Sequence, residues 1–330
     1  MGFVKEELFH GEKAITLSHG NYRATLLPDC GGNLISFVDT EAGYQFLREP
    51  QAEDMEDFKS NPFAYGIPVL FPPNRMEDGR FSFEGKVYRL PINEEARNNH
   101  LHGFFYAVPW QVVKTEASPQ ESFVMIAQQV TESHPAYAYF PHTFTLSMRF
   151  SLSDDGLRQD VQVINQGSSP MPCLLGFHTA INAPFATGST LEDMEFTLTI
   201  GDRWEVNDRM LPTGKIQPMS EQEMRIKGEG VSPYFTRLDN HYSAEPVKGK
   251  NQMVLTDKRK NVRLVYDAGL QYKHWMIWNR DAVSGFFCPE PQTCMVNTPN
   301  LSLPIETTGM IVLGPEETWQ ETSRIYVEKA

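Results

Sequence analysis

The sequence predicts an all-β protein, one large antiparallel β-sandwich spanning residues 1–330. Three observations carry this. Runs rich in β-branched and aromatic residues recur along the whole chain with turn residues between them, and several alternate polar and apolar side chains as a half-buried strand does. Neighbouring runs are joined by short turn signals. Helical patterns are rare, and no strand–helix alternation of the kind a βαβ architecture needs is present.

In chain order the strand-like runs are "AITLSHG" (14–20), "YRATLLP" (22–28), "NLISFVDT" (33–40), "QVVKTE" (111–116), "SFVMIAQQVT" (122–131), "HTFTLSMRFSLS" (142–153), "LRQDVQVINQG" (157–167), "MEFTLTIG" (194–201) and "MIVLG" (310–314). "RFSFEGKVYRLP" reads as a hairpin turning at Glu84-Gly85-Lys86, and "SLSDDGLRQDVQV" as one turning at Asp155-Gly156. "QMVLTDKRKNVRLVYDAG" turns in its charged middle. Only "QAEDMEDFKS" (51–60) and "MSEQEMRIKG" (219–228) look helical, and both are short and polar. The proline-rich stretches 68–73 and 289–299 sit in apolar sequence and read as ordered loops.

Composition sets the outer bounds. With 330 residues, 40% hydrophobic and 12% aromatic, the chain can bury a large core, and all-β domains of this length occur as single units. A formal charge of −13 argues against nucleic acid or an anionic membrane as partner. Cys30, Cys173, Cys288 and Cys294 form no CxxC pair and suggest no disulfide framework. The first twenty residues hold no apolar h-region, Glu6 breaks a myristoylation pattern, and no run of about 18 apolar residues offers a membrane span. The expectation is a cytoplasmic protein. No P-loop or dinucleotide-binding glycine pattern is found, so no cofactor is expected.

Some polar residues sit where a sandwich does not need them. "FFCPEPQTCMVN" (286–297) reads as a buried strand ending in Glu290, which Pro289 and Pro291 restrict on both sides. "MPCLLGFHTAINAP" carries His178 at the end of an apolar run, where a core histidine with both nitrogens satisfied is the plainer reading. "NNHLHGFF" places His100 and His102 two apart, which on a strand puts both on one face, as a metal pair or as strand-end polarity. No carboxylate follows at ligand spacing. "VLFPPNRMEDGRF" sets Asn74 and Arg75 after an apolar strand, where a solvated loop is the competing reading. "YFTRLDNHYSA" holds Asp239, which alone reads as part of a turn-forming Asp-Asn pair. Trp275 and Trp278 in "YKHWMIWNR" suit a core, although an aromatic face also stacks on a sugar ring.

Taken together, "NR", "HLHGF", "GFH", "LDNHY" and "CPEPQT", in that order on an all-β chain, resemble the aldose 1-epimerase (galactose mutarotase-like) family. The resemblance runs from "GGNLISF" at Gly31 to "LGPEETW" near Trp319. It implies a β-supersandwich and interconversion of the α and β anomers of an aldose. His178 matches the family's general acid on the ring oxygen and Glu290 the base on the C1 hydroxyl. Arg75, His102 and Asp239 match residues that bind the sugar, and Asn74 accompanies Arg75. No metal is implied. "CPEPQT" is also similar to the hexose-phosphate epimerase branch.

The chemistry independently asks for such groups. Opening a pyranose requires one proton removed from the anomeric hydroxyl and one delivered to the ring oxygen, and a carboxylate and an imidazole on opposite sides of the ring can do both. Burial beside Phe286 and Phe287 would raise the carboxylate's pKa toward useful base strength. Other readings stay open: a hexose-6-phosphate 1-epimerase, which would need cations such as Arg80, Arg97 or Lys273 converging on one end of the cleft; a non-catalytic carbohydrate-binding protein; and a metal-dependent enzyme using His100 and His102. A neutral aldose is the expected substrate, and polarity alone says nothing of oligomeric state.

Overall fold

The computed structural model describes residues 2–330 and consists mostly of antiparallel strands arranged in three main sheets. An N-terminal five-stranded meander runs through Phe3–Phe9, Glu12–His19, Tyr22–Leu27, Asn33–Asp39 and Tyr44–Gln45. An eight-stranded sheet forms the back of the molecule, ordered Gln111–Ala117, Ser122–Val130, Phe144–Ser153, Gly156–Asn165, Thr318–Lys329, Val262–Asp267, Gln252–Asp257 and Met194–Leu198. A second eight-stranded sheet carries, in spatial order, Ile200–Val206, Asp239–Ala244, His274–Trp278, Phe286–Gln292, Gly176–Phe177 and Val69–Leu70, with Pro212–Gln217 beyond the first of these and Ile181–Asn182 also paired to Phe286–Gln292.

The sequence pattern explains these strands. Gln252–Asp257 and Met194–Leu198 alternate buried and half-buried residues, as strands with one face on the core must. Inward residues such as Val124, Leu146, Phe150, Val163 and Leu264 fuse with Phe287, Tyr266 and Trp275 into one apolar cluster between the layers. Phe286–Gln292 is buried at every position, since it is central to its sheet and covered on both faces. Removing apolar area of this kind from water contributes about 25 cal/mol per Å², the main force holding the layers together.

The hairpins form where expected, with small shifts. Phe83 faces Lys86 across a two-residue turn in which Glu84 and Gly85 both have positive φ, the I′ geometry that suits strand twist. Ser153 faces Gly156 around Asp154-Asp155, and Asp257 faces Val262 around the charged middle of the third hairpin. Both helical segments are present, Met55–Ser60 after a 3-10 turn and Glu221–Ile226, the latter capped by Ser220 and Glu223 in a capping box. Among the described residues no helix is long and apolar enough to cross a membrane.

Candidate active site

Three neighbouring strands and three loops meet over the second sheet around a cavity of about 170 Å³. Drug-sized ligand sites run to roughly 300–1,000 Å³, so this one suits a single small ring. Asn61, Phe63, Asn74, Arg75, Leu101, His102, His178, Asp239, Trp278 and Glu290 line it. Every candidate side chain taken from the sequence, namely Asn74, Arg75, His102, His178, Asp239 and Glu290, is therefore on one cavity wall.

Glu290 does not end its strand, as the sequence suggested; it lies inside Phe286–Gln292, opposite Met276. The prolines are tolerated because of where their missing donors fall. The Lys273 amide donates to the Gln292 carbonyl and the Thr293 amide to the Leu175 carbonyl, so even-numbered residues address strand His274–Trp278 and odd-numbered ones the other side. Pro289 and Pro291 thus lack N–H groups only on the side away from His274–Trp278, where the register runs along residues 177–179. The His178 and Ala180 amides point the other way, to the Pro68 and Gly66 carbonyls. The ladder to Met276 stays intact, and the two fixed φ angles leave Glu290 one backbone conformation.

His178 enters directly after the strand Gly176–Phe177, and its Nε2 lies 3.2 Å from Glu290 Oε1. Both side chains are almost fully buried. Glu290 Oε2 and His178 Nδ1 find no hydrogen-bond partner among the described residues. Burial, and then the nearby Asp239 carboxylate, push the Glu290 carboxyl well above its ordinary value, with Arg75 pulling against them. Burial pushes His178 down to about 3, and the Arg75 charge adds to that. Both shifts favour the neutral forms, and the two groups stand 3.2 Å apart, close enough to exchange a proton directly.

Arg75 opens the strand Arg75–Glu77, which pairs with Asn99–Leu101. Glu94 fixes its guanidinium: Nε donates to Oε2 at 3.0 Å and Nη2 to Oε1 at 3.0 Å. The same carboxylate accepts from Arg97 Nη1 and Asn99 Nδ2. Asn74 adopts φ 53°, tolerable for asparagine, and its Oδ1 accepts from the Arg75 amide and Nη1. Asp239 begins the strand Asp239–Ala244 opposite Trp278, so it is a strand residue and not part of a turn. Burial raises its carboxyl while Arg75 lowers it.

The histidine pair does not share a face. The strand stops at Leu101 and His102 takes φ 64°, which turns it into the cavity. His102 packs on Phe63 with centroids 4.2 Å apart and edge-on to His178 at 5.3 Å. His100 instead bonds the Pro91 carbonyl through Nδ1 at 2.7 Å and does not line the cavity. Among the described residues no cluster of three or more His, Cys, Asp or Glu is placed to hold a metal ion. Gly103 is needed where it stands: at φ 77°, a Cβ would lie 2.0 Å from the Phe71 carbonyl oxygen. Burial, then His178 and Arg75, hold the His102 ring neutral.

The tryptophans divide. Trp275 is fully buried and donates to Asn251 Oδ1 at 2.8 Å, a core residue. Trp278 is half-buried on the cavity, its ring 5.5 Å from that of His178. Sequence reasoning missed Glu94, Asn61 and Phe63. The last two lie where the first helix gives way to a 3-10 turn, and only that break in a polar helical pattern signals them.

A family model described as aldose 1-epimerase matches residues 13–326. A galactose mutarotase-like protein from Clostridium acetobutylicum superposes with a TM-score of 0.95 at 35% identity, over 99% of each chain. Two curated relatives are more distant. The rat galactose mutarotase is 28% identical over 169 residues, 50% of this chain and 46% of its own length. The uncharacterized Escherichia coli protein YihR is 25% identical over 203 residues, 61% of this chain and 59% of its own. The chain thus spans about half the length of the curated relatives it matches.

Proposed function

The chain belongs to the aldose 1-epimerase family and has its galactose mutarotase-like β-architecture, and we propose that it interconverts the α and β anomers of an aldose by acid–base ring opening and closure. The observation that carries this reading is the buried His178–Glu290 contact at 3.2 Å on the floor of a cavity sized for one ring. A binding module has no need to desolvate a carboxyl and an imidazole against each other; a proton-exchanging pair does.

The sugar lies over the pair, with O1 toward Glu290 and the ring oxygen, bonded to the same carbon, toward His178. Glu290 takes the O1 proton as His178 delivers one to the ring oxygen, and the C1–O5 bond breaks to give the open aldehyde. Rotation about C1–C2 presents the other face of the carbonyl, and the two groups reverse roles to close the ring. The pair carries one exchangeable proton throughout, on His178 before ring opening and on Glu290 after it. Each well-placed acid or base contributes roughly 10²–10⁴-fold. Arg75, Asn74, His102 and Asp239 hold the hydroxyls, and Trp278 offers the flat face for the ring's C–H side. Holding the ring in the reactive orientation adds its own rate gain.

A neutral sugar suits the site better than a phosphorylated one. Of the cations considered for a phosphate, Arg97 alone adjoins the site, and its Nη1 is already held by Glu94 at 2.9 Å. Arg80 lies on the hairpin Arg80–Phe83, and Lys273 turns its ammonium to the Leu270 carbonyl. Polarimetry on fresh α-D-galactose, α-D-glucose and α-D-glucose 6-phosphate at low buffer concentration tests both points. Faster mutarotation of a neutral sugar is the expected result. A strong preference for the phosphate would overturn the substrate assignment, and binding without acceleration of any aldose would leave a carbohydrate-binding protein.

A further inference from the structure

Gln292 follows Glu290 by two residues on one strand, so both side chains leave the same face of the sheet. It is fully buried, and neither its amide nitrogen nor its oxygen has a hydrogen-bond partner among the described residues. A buried carboxamide left unpartnered costs stability and calls for a reason. Its place is made by Gly176, its register partner, where an added Cβ would stand 3.0 Å from Gln292 Cγ and 3.0 Å from Pro73 Cβ. His274, across the strand on the other side, makes no claim on it. The His274 ring nitrogens already meet His241 Nε2 at 3.2 Å and the Thr307 carbonyl at 3.1 Å. Glu290 Oε2, two residues back on the same face, is itself without a partner among the described residues.

We propose that Gln292 is the positioning residue of the proposed base: its amide nitrogen donates to Glu290 Oε2 when Oε1 leaves His178 for the sugar. The bond fixes the plane of the carboxylate and stabilises its charged form at the moment O1 must be deprotonated. Hydrogen bonds of this kind are often long in free sites and tighten only in the complex. The charge balance around Glu290 agrees. Burial and Asp239 push its carboxyl up, and Gln292 is, after Arg75, the group that pulls it back. His178, Asp239, Arg75 and His102 face Glu290 from other segments, and Cys288 adjoins it on its own strand. Of these, none donates to Oε2.

The inference rests on the acid–base reading, so its test has two arms. Gln292→Met keeps length and removes the donor; Gln292→Glu adds a like charge beside the base. In the first arm the Glu290 carboxyl is titrated by 13C NMR, its signal assigned with Glu290→Gln. The expected order of Glu290 pKa is wild type below Gln292→Met below Gln292→Glu. In the second arm the pH profile of kcat/KM for mutarotation is recorded. The acid limb should move to higher pH in the same order, and kcat should fall about tenfold or more for Gln292→Met with KM little changed and melting temperature unchanged or higher. A lower melting temperature with an unmoved Glu290 titration and an unmoved acid limb would show a packing role only and overturn the proposal. A shifted titration in a protein that turns over no aldose would instead remove the acid–base reading while leaving the Gln292–Glu290 contact in place.

Discussion

Replacing Glu94 by glutamine should weaken the fold and the sugar site together. Glu94 and Arg75 are both close to 90% buried at their side chains, and three guanidinium contacts at 3.0–3.1 Å join them. Removing one partner of a buried ion pair costs about 3–5 kcal/mol, because the other charge is left uncompensated. Glutamine keeps one acceptor oxygen, so the loss should be smaller, roughly 2–3 kcal/mol, near the worth of one hydrogen bond between charged groups. At about 2–4 °C per kcal/mol for a large domain, that is a fall of about 4–12 °C in melting temperature. The pH dependence has a definite sign. Burial pushes the Glu94 carboxyl up from 4.5, but the hydrogen bonds from Arg75, Asn99 and Arg97 outweigh it and the net shift is down. The carboxylate therefore stabilises the fold fully above pH 4.5, and that contribution is lost as pH falls through the depressed native value. Thermal melts of both proteins at pH 7.5 and pH 4 should show the gap at the higher pH and a smaller one at the lower. Kinetics should show KM raised about tenfold, equivalent to about 1.4 kcal/mol, with a lesser change in kcat, since Arg75 loses its orientation and not the reacting pair. Equal melting temperatures and equal KM would show that Arg75 is held without Glu94, and the account of the site's binding side would be wrong.

His178→Asn should lower kcat by about 10² or more with KM little changed, because the proton it delivers matters only in the transition state; near-normal turnover in a folded variant would reassign the acid. Arg75→Ala and His102→Ala should act mainly on KM, measured by initial-rate polarimetry, and a pure kcat effect would count against hydroxyl recognition. Gly103→Ala should destabilise markedly, since its Cβ would meet the Phe71 carbonyl at 2.0 Å in a left-handed backbone; an unchanged melting temperature would contradict that packing. Activity should survive dialysis against a chelator, as His100 and His102 point to different surroundings. Loss restored by a divalent ion would favour a metal-dependent enzyme instead.

Much of this molecule was legible because local chemistry and global structure agree. The alternation in Met194–Leu198 and the turn at Glu84-Gly85 each follow from a few adjacent residues. The C-terminal strand Thr318–Lys329 is different: it inserts between Gly156–Asn165 and Val262–Asp267 in the middle of the back sheet, a pairing across more than 150 residues that no local pattern announces. The candidate residues were found through the joint order of their motifs, while the geometry of each was less visible. His102 leaves the face of His100 because the strand stops one residue earlier, and Glu290 stays in its strand because its pairing with Met276 does not call on the proline donors. Glu94 sits in the charged run "NEEARNN", where nothing distinguishes it from Glu95 until Arg75 folds against it. Trp275 and Trp278 share a strand and a residue type, but three apart they leave opposite faces of the sheet, one into the core and one onto the cavity.

Glu290→Gln puts the central claim to the most direct test. Glutamine preserves size and hydrogen-bonding shape but cannot take the proton from O1. Because the native carboxyl pKa is raised above its unfolded value, ionised Glu290 costs stability as pH rises. The variant should therefore melt at an equal or higher temperature at pH 7.5, and any gain should shrink toward pH 4.5. It should still bind sugar, as read by protection of Trp278 fluorescence. Polarimetry on the best aldose should then show turnover reduced by a factor of about 10² or more. A folded, sugar-binding Glu290→Gln protein that accelerates mutarotation to within a few-fold of the wild type would show that the base lies elsewhere.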